Sequence, residues 1–596
     1  MPDSTAGPAP YAATPAALQL GGGAAAYDEA VVRARDEGWA ERLFAKDGSL
    51  WSSDARVQEA IRDRLGWLDA PEDFTERIPA LEGFGEGIRD AGFTTVVVAG
   101  MGGSSLAPDV LAKTFGGTDD WLDLRVLDST DPATVAATLD DLEPLATLFI
   151  VASKSGTTTE PLAFLADAWA RIDAALRARH APRFEHAGEM IVAISDPGKS
   201  IESIPHHDEF RELFLNPPDV GGRYSALTYV GLMPASLIGL DLDALLASAS
   251  TMLAACREPD PRVNPGVSLG LAIGSLARAG RDKLTFLADA EIASLGAWLE
   301  QLIAESTGKR GTGIVPVDLE PVGPVDRYGN DRVFVRIRLA GGDKPVGNPA
   351  ADALVDEAEA RGHPVIQIDL SDPIDIAAEF VRWEVATAIA GAVLGIDAFD
   401  QPNVEEAKQR TRDLLAGHTR DGAGPAAAAP IVANGGIALF GDAPLRLSAN
   451  GDRTLAGEIR RHLARRRPNA YIAIQAFIAP SDAADASIAR IRTLLLNATG
   501  NATTAGYGPR FLHSTGQLHK GGPPTGCFLQ LTSDHPVDRP IPGWPYTFGR
   551  LIDAQAQGDF EAIEAHDLPI VRVHLGDPPA DLPLLEAALA EALSGT

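Results

Sequence analysis

Apolar positions along the chain alternate between two rhythms. Short β-branched runs, most of them closing on Gly, Ser or Asp, are followed by longer stretches with helical spacing, the pattern of a parallel sheet wrapped by helices. The first series is Thr94–Ala99, Leu124–Leu127, Leu148–Ala152, Met190–Ile194 and Leu213–Leu215. It predicts a doubly wound α/β domain over residues 60–235. A second series, Lys283–Ala288, Ile314–Val317, Val333–Leu339 and Val365–Leu370, is interleaved with helical segments such as Ala293–Ser306 and Ala377–Gly395. It predicts a second α/β domain over 236–420, with some antiparallel pairing. Residues 418–436, rich in Gly, Ala and Pro, read as a linker or surface loop. Beyond them, strand patterns at Tyr471–Ile478, Cys527–Leu531 and Ile570–Leu575 alternate with helices. Segment 421–596 is therefore assigned as a linker and a C-terminal α/β segment completing the second domain, a small third domain being the alternative. Residues 1–59 combine an Ala-, Pro- and Gly-rich tail, 1–25, with the first helices; Val57–Leu68 has helical spacing. The fold class is α/β, with two doubly wound domains of mostly parallel sheet and a C-terminal α/β addition.

Bulk composition narrows the function classes. A chain of 596 residues with 45% apolar residues suits a globular protein of two or three domains. Its longest apolar stretches, such as Ile389–Ile396, fall far short of the ~20 residues that span a bilayer. The N-terminus lacks the basic start of a secretory signal, so the expected location is cytoplasmic. Cys256 and Cys527, the only cysteines, lie too far apart in sequence to suggest a disulfide framework or a cysteine zinc site. A net charge of −31 disfavours nucleic acid and anionic membranes as partners. It also means that an anionic metabolite needs a local cluster of donors. Arginine greatly outnumbers lysine, and only nine lysines occur, Lys154 and Lys408 among them. A lysine kept in such a chain is a candidate for chemistry that needs a removable proton.

Two strand-to-helix junctions carry candidate chemistry. One holds Gly100, Gly102, Gly103, Ser104 and Ser105; the other holds Ser153, Lys154, Ser155, Gly156, Thr157 and Thr158. Glycine lets backbone N–H groups approach an anion, the helix N-terminus adds partial positive charge, and hydroxyls add donors. Side by side at the carboxyl ends of a parallel sheet, the two loops make a phosphate cradle. A dinucleotide fingerprint with Asp128 on the ribose fits less well. Its third glycine is a serine, and Asp128 comes 28 residues after Gly100 rather than about 20.

With those residues in view, GMGGSSLAP and SKSGTTTEP resemble the GIGGSDLGP and SKSGTT segments of the glucose-6-phosphate isomerase family, built on sugar isomerase (SIS) domains. VGGRYSALTYVGLMPA at 220–235, LIAESTGKRGTGIVP at 302–316 and AFDQPNVEEAKQ at 398–409 are similar to its GGRYS, GESEGKxGKG and NPFDQPGVExGK segments. The order is preserved, and the nearest likeness is to the isomerase half of fused transaldolase–isomerase proteins. A transaldolase half does not fit in the ~60 residues before the first strand series, so that activity is not expected. The resemblance implies two SIS-like domains, a homodimer, no cofactor and no metal. The reaction it implies is glucose 6-phosphate to fructose 6-phosphate by ring opening and a cis-enediolate.

Carried over by position, the resemblance makes Glu305 the base that moves a proton between carbons, and Arg223 the stabiliser of the enediolate oxygen. It places Lys408 and a histidine at ring opening. Gly103, Ser104, Ser153, Lys154, Ser155, Thr157, Thr158 and Gln401 become substrate-binding residues. The histidine is open: FLHSTGQLHKGGP at 511–523 resembles the family's LHSMGQ segment but follows Lys408, so His513 is preferred, then His519, then His363. Two other readings share these motifs, an SIS enzyme that also takes mannose 6-phosphate or an amino sugar, and a non-catalytic sugar-phosphate sensor.

Overall fold

The computed structural model describes residues 13–179, 184–340, 347–421, 429–448 and 453–594. A short N-terminal strand, β1 (Ala17–Gln19), precedes the first sheet. That sheet contains β2 (Thr95–Gly100), β3 (Asp123–Leu127), β4 (Thr147–Ala152), β5 (Ile191–Ser195) and β6 (Glu212–Leu215). All are parallel, in the order β3-β2-β4-β5-β6. Strands β2 and β4 are buried along their whole length. Burial on both faces is why they read as unbroken apolar runs rather than alternating ones. Chain order reverses between β2 and β4, and Gly100 pairs with Ala152, so their following loops leave the sheet side by side. A crevice at such a reversal is where open α/β sheets bind ligands.

The second sheet holds β7 (Lys283–Ala288), β8 (Val315–Val317), β9 (Arg332–Leu339) and β10 (Val365–Leu370), in the order β10-β9-β7-β8. These pair in parallel, and β1 adds to the β10 edge antiparallel, with Leu18 opposite Ile366. The antiparallel pairing expected here thus comes from the N-terminal segment. Part of what reads as a tail is a bound edge strand; residues 1–12 of that segment lie outside the described residues.

The C-terminal segment builds a sheet of its own instead of adding strands to the second. It contains β11 (Val432–Asn434), β12 (Ile437–Gly441), β13 (Tyr471–Phe477), β14 (Ala502–Tyr507), β15 (Gly526–Ser533) and β16 (Ile570–Leu575). The order is β11-β12-β16-β15-β13-β14. Its parallel strands β14-β13-β15-β16 repeat the arrangement of β8-β7-β9-β10. The expected linker is partly ordered as well: a helix runs Val404–Asp421, β11 begins at Val432, and residues 422–428 lie outside the described residues.

At the centre lies the helix Ile376–Leu394, buried over nearly every residue, as a helix apolar all round must be. It packs against the helices Leu242–Cys256, Pro265–Arg278 and Leu295–Thr307. Trp298 stacks edge-on to Phe380, and Trp383 to Phe286. The last of those three helices carries Glu305, so its position is set by the best-buried element of the fold. No helix among the described residues is long and apolar enough to cross a membrane.

Candidate functional site

The loops after β2 and β4 form one floor of the site. Gly102 has a left-handed φ of +54°, and a Cβ there would stand 2.5 Å from the carbonyl oxygen of His513. A Cβ on Gly103 would stand 2.2 Å from the carbonyl oxygen of Gly222. Only glycine allows this loop to touch both the Arg223 turn and the His513 segment. In the second loop the Ser153 hydroxyl donates to Thr158 Oγ1 at 3.1 Å, and Ser155 and Thr157 share a 3.0 Å hydrogen bond. The 20-residue helix Thr159–Ala178 starts there without a side chain capping its first N–H groups. Such a terminus offers donors and partial positive charge to an anion.

That loop opens into a cavity of about 490 Å³. Ser155, Thr157 and Thr158 line one wall, and Lys408 and Arg412, on the helix Val404–Asp421, line another. Thus a chain of strongly negative charge brings cations to the place where an anion would sit. Lys408 is partly exposed, with Glu405 at 3.4 Å. His513, Gln555 and Tyr546 line the cavity as well.

His513 Nε2 lies 3.2 Å from Glu160 Oε1, which also accepts a 2.6 Å hydrogen bond from Gln555. Gln555 in turn accepts from Thr130 at 2.7 Å. Burial pushes the Glu160 carboxyl up, but the neighbouring imidazole outweighs that and holds it below the usual carboxylate range. An ionised Glu160 can only accept, so Nε2 of His513 carries a hydrogen directed at that carboxylate.

Glu305 and Arg223 are not among the residues lining this cavity; they are joined to it through Gln301. The Gln301 amide donates to Glu305 Oε2 at 3.1 Å and to the His513 carbonyl at 2.7 Å. Glu305 is 8% exposed and stands 3.6 Å from the Arg223 guanidinium. Arg223 donates to Ser306 Oγ, to the carbonyls of Ala398 and Asp400, and to Gln401 Oε1, at 2.7–3.1 Å. Its fork is locked, with one edge toward the carboxylate. Glu305, Arg223, Gln401 and Gly103 therefore come together, and the cavity gathers Ser155, Thr157, Thr158, Lys408 and His513.

Other candidates lie elsewhere. Lys154 turns to Asp196 at 2.6 Å and to the Pro218 carbonyl at 3.0 Å, outside the cavity lining. Ser153 is buried beneath the loop, and Ser104 is half-buried in the turn next to Gly103. His519 is a core residue, its ring against Phe528 and Tyr471 and its pKa far below normal through burial. His363 precedes β10, so it lies at the amino end of a strand, packed edge-on to Phe334. Asp128 is held by Arg510 at 3.0 Å and Ser105 at 3.3 Å, which occupies the carboxylate that a ribose would need. Sequence reasoning missed Glu160, Gln301 and Gln555. Gln301, one helical turn before Glu305, was open to detection by spacing; Gln555 is 395 residues from the glutamate it holds and gave no local sign.

Comparison with known proteins identifies what the chain is similar to. A family model described as phosphoglucose isomerase matches residues 55–318. A glucose-6-phosphate isomerase from Rubrobacter xylanophilus is 31% identical over 411 residues, covering 60% of this chain and 90% of that protein. One from Symbiobacterium thermophilum is 31% identical over 405 residues, covering 59% and 86%. Among solved structures, a hypothetical protein from Thermus thermophilus aligns with a TM-score of 0.55 and 26% identity, covering 67% of this chain and all of that one.

Proposed function

Since this chain belongs to the glucose-6-phosphate isomerase family and is an aldose–ketose isomerase, we propose that it interconverts glucose 6-phosphate and fructose 6-phosphate through ring opening and a cis-enediolate. The observation that carries the reading is the buried Glu305, set between Arg223 and the Gln301 amide that also grips His513.

The phosphate sits on the hydroxyls of Ser155, Thr157 and Thr158 and on the first turn of the helix Thr159–Ala178. His513, oriented by Glu160, takes the C1 hydroxyl proton at Nδ1 and passes it to the ring oxygen as the ring opens; Lys408 holds the oxygens at that end. In the open aldose, Glu305 takes the proton from C2, and the electron pair moves onto the carbonyl oxygen at C1. Arg223 stabilises the resulting enediolate charge. Glu305 then returns the proton to C1, O2 becomes the carbonyl, and the hydroxyl proton passes from O2 to O1. The reverse direction uses the same groups.

Glu305→Gln tests this. Turnover should fall by about three powers of ten or more, with KM within about threefold, because the variant keeps the shape but loses the base. Wild-type enzyme in deuterated water should place deuterium at C2 of glucose 6-phosphate. A Glu305→Gln protein that retains turnover or label incorporation overturns the assignment.

A further inference from the structure

The five-residue loop Asp397–Gln401 is held from two sides. Arg223 grips it through the carbonyls of Ala398 and Asp400 and the Gln401 amide oxygen. From the other side Lys309, 3% exposed, donates to the Asp397 carbonyl at 2.6 Å and pairs with Asp400 Oδ1 at 2.7 Å. Asp400 is thus shared: its carbonyl serves the arginine and its carboxylate serves the lysine. Three of the four acceptors that lock the Arg223 fork belong to this loop. A loop released by Lys309 would let the guanidinium leave its place beside Glu305. Lys309 also follows Glu305 by four residues, and its backbone is fixed by a bridge to Thr312. The two ends of the arrangement are therefore built on one segment.

We propose that Lys309 is a positioning residue for the isomerisation, holding the loop 397–401 and through it the Arg223 guanidinium against the enediolate. The inference rests on the roles given above to Arg223 and Glu305. Burial and then the nearby Arg223 charge push the Lys309 ammonium down to about 8, against the pull of Asp400 and Asp397. Arg310 and Lys520 line the same 430 Å³ cavity beside it and add no acid. The grip weakens as pH rises past that value, which should appear as an alkaline limb in kcat. Glu300, whose carboxyl is also pushed up to about 8, could produce a limb in the same range, so the limb must be assigned by substitution.

The test is kcat and KM for fructose 6-phosphate, from about pH 6.5 to about 10.5, in the wild type, Lys309→Met and Lys309→Arg. Lys309→Met should lower kcat by about 30-fold at neutral pH, with KM within about threefold because the phosphate loop is untouched. Lys309→Arg should restore turnover to within about fivefold of the wild type and carry the alkaline limb beyond about pH 10, since guanidinium keeps its proton. A folded Lys309→Met with kcat within about threefold of wild type, or a limb unmoved in Lys309→Arg, overturns the proposal. Should Lys309→Met not fold, the limb in Lys309→Arg decides alone. Glu305→Gln, assayed alongside, separates the two failures. If it is inactive while the Lys309 variants behave as wild type, only the inference falls. If it is active, the reading of the site falls and the inference with it.

Discussion

Glu160 and His513 are 353 residues apart in the chain and 3.2 Å apart in the fold. The carboxylate fixes which imidazole nitrogen holds the hydrogen, so Glu160→Gln should leave the histidine in place with the wrong tautomer favoured. The expected outcome is a fall of about 10- to 100-fold in kcat with closed-ring substrate and little change in KM. Rapid-mixing assays that follow ring opening separately from isomerisation check it, because the loss should fall on the opening step. At this scale the sequence was informative where a residue sits inside a local motif. Glu305, Arg223 and Gln401 are brought together as their motifs imply. Lys154 shows what a motif leaves open. Its motif places it in the loop, yet a lysine side chain is long, and Asp196 on the neighbouring strand end takes its ammonium. Which acid a lysine selects depends on strand adjacency, which local spacing does not encode.

Elements were legible in proportion to their burial. Strands β2, β4, β7 and β10 lie within a residue of the runs that predict them: β2 and β4 are buried on both faces and read as near-continuous apolar runs, whereas β10, VIQIDL, shows the alternation of a strand whose Gln367 and Asp369 side is more open. Strand β14, ATTAGY, is small and partly polar, and β1 is three residues long; neither announces itself without its partner strand. The junction loops add a sharper expectation. Gly103→Ala would drive a methyl into the Gly222 carbonyl and displace the Arg223 turn, so kcat should drop by about tenfold or more while the circular-dichroism spectrum stays unchanged. The helix Leu295–Thr307 carries a second acid, Glu300, whose carboxyl burial pushes up to about 8, with Asp318 adding like-charge repulsion. Folded protein therefore holds a proton there that the unfolded chain releases above about pH 4.5, and stability declines as pH climbs from that value toward 8. Glu300→Gln removes this dependence. The variant should be more stable than wild type by roughly 2–4 kcal/mol at pH 8.5 and nearly equal at pH 5, as read from urea melts.

At the scale of the whole molecule, Arg510 joins the third sheet to the first, pairing with Asp109 at 2.6 Å and Asp128 at 3.0 Å. It lies three residues before His513, so the ion pairs that dock the sheets also set the depth of the imidazole. Arg510→Gln strands two largely enclosed carboxylates. It should cost about 2 kcal/mol or more in a denaturant titration and lower kcat as the His513 segment loosens. The presence of this third sheet was only an alternative in the sequence reading, since alternation of strand and helix does not say whether late strands join an earlier sheet. Its independence has a consequence in time. The acid and the arginine proposed for proton transfer lie within the first 305 residues, the loop that locks the arginine follows at 397–401, and the histidine proposed for ring opening comes last, on a sheet of its own. On the proposed roles, a chain still being synthesised should lack its ring-opening group until that last sheet folds and docks against the first.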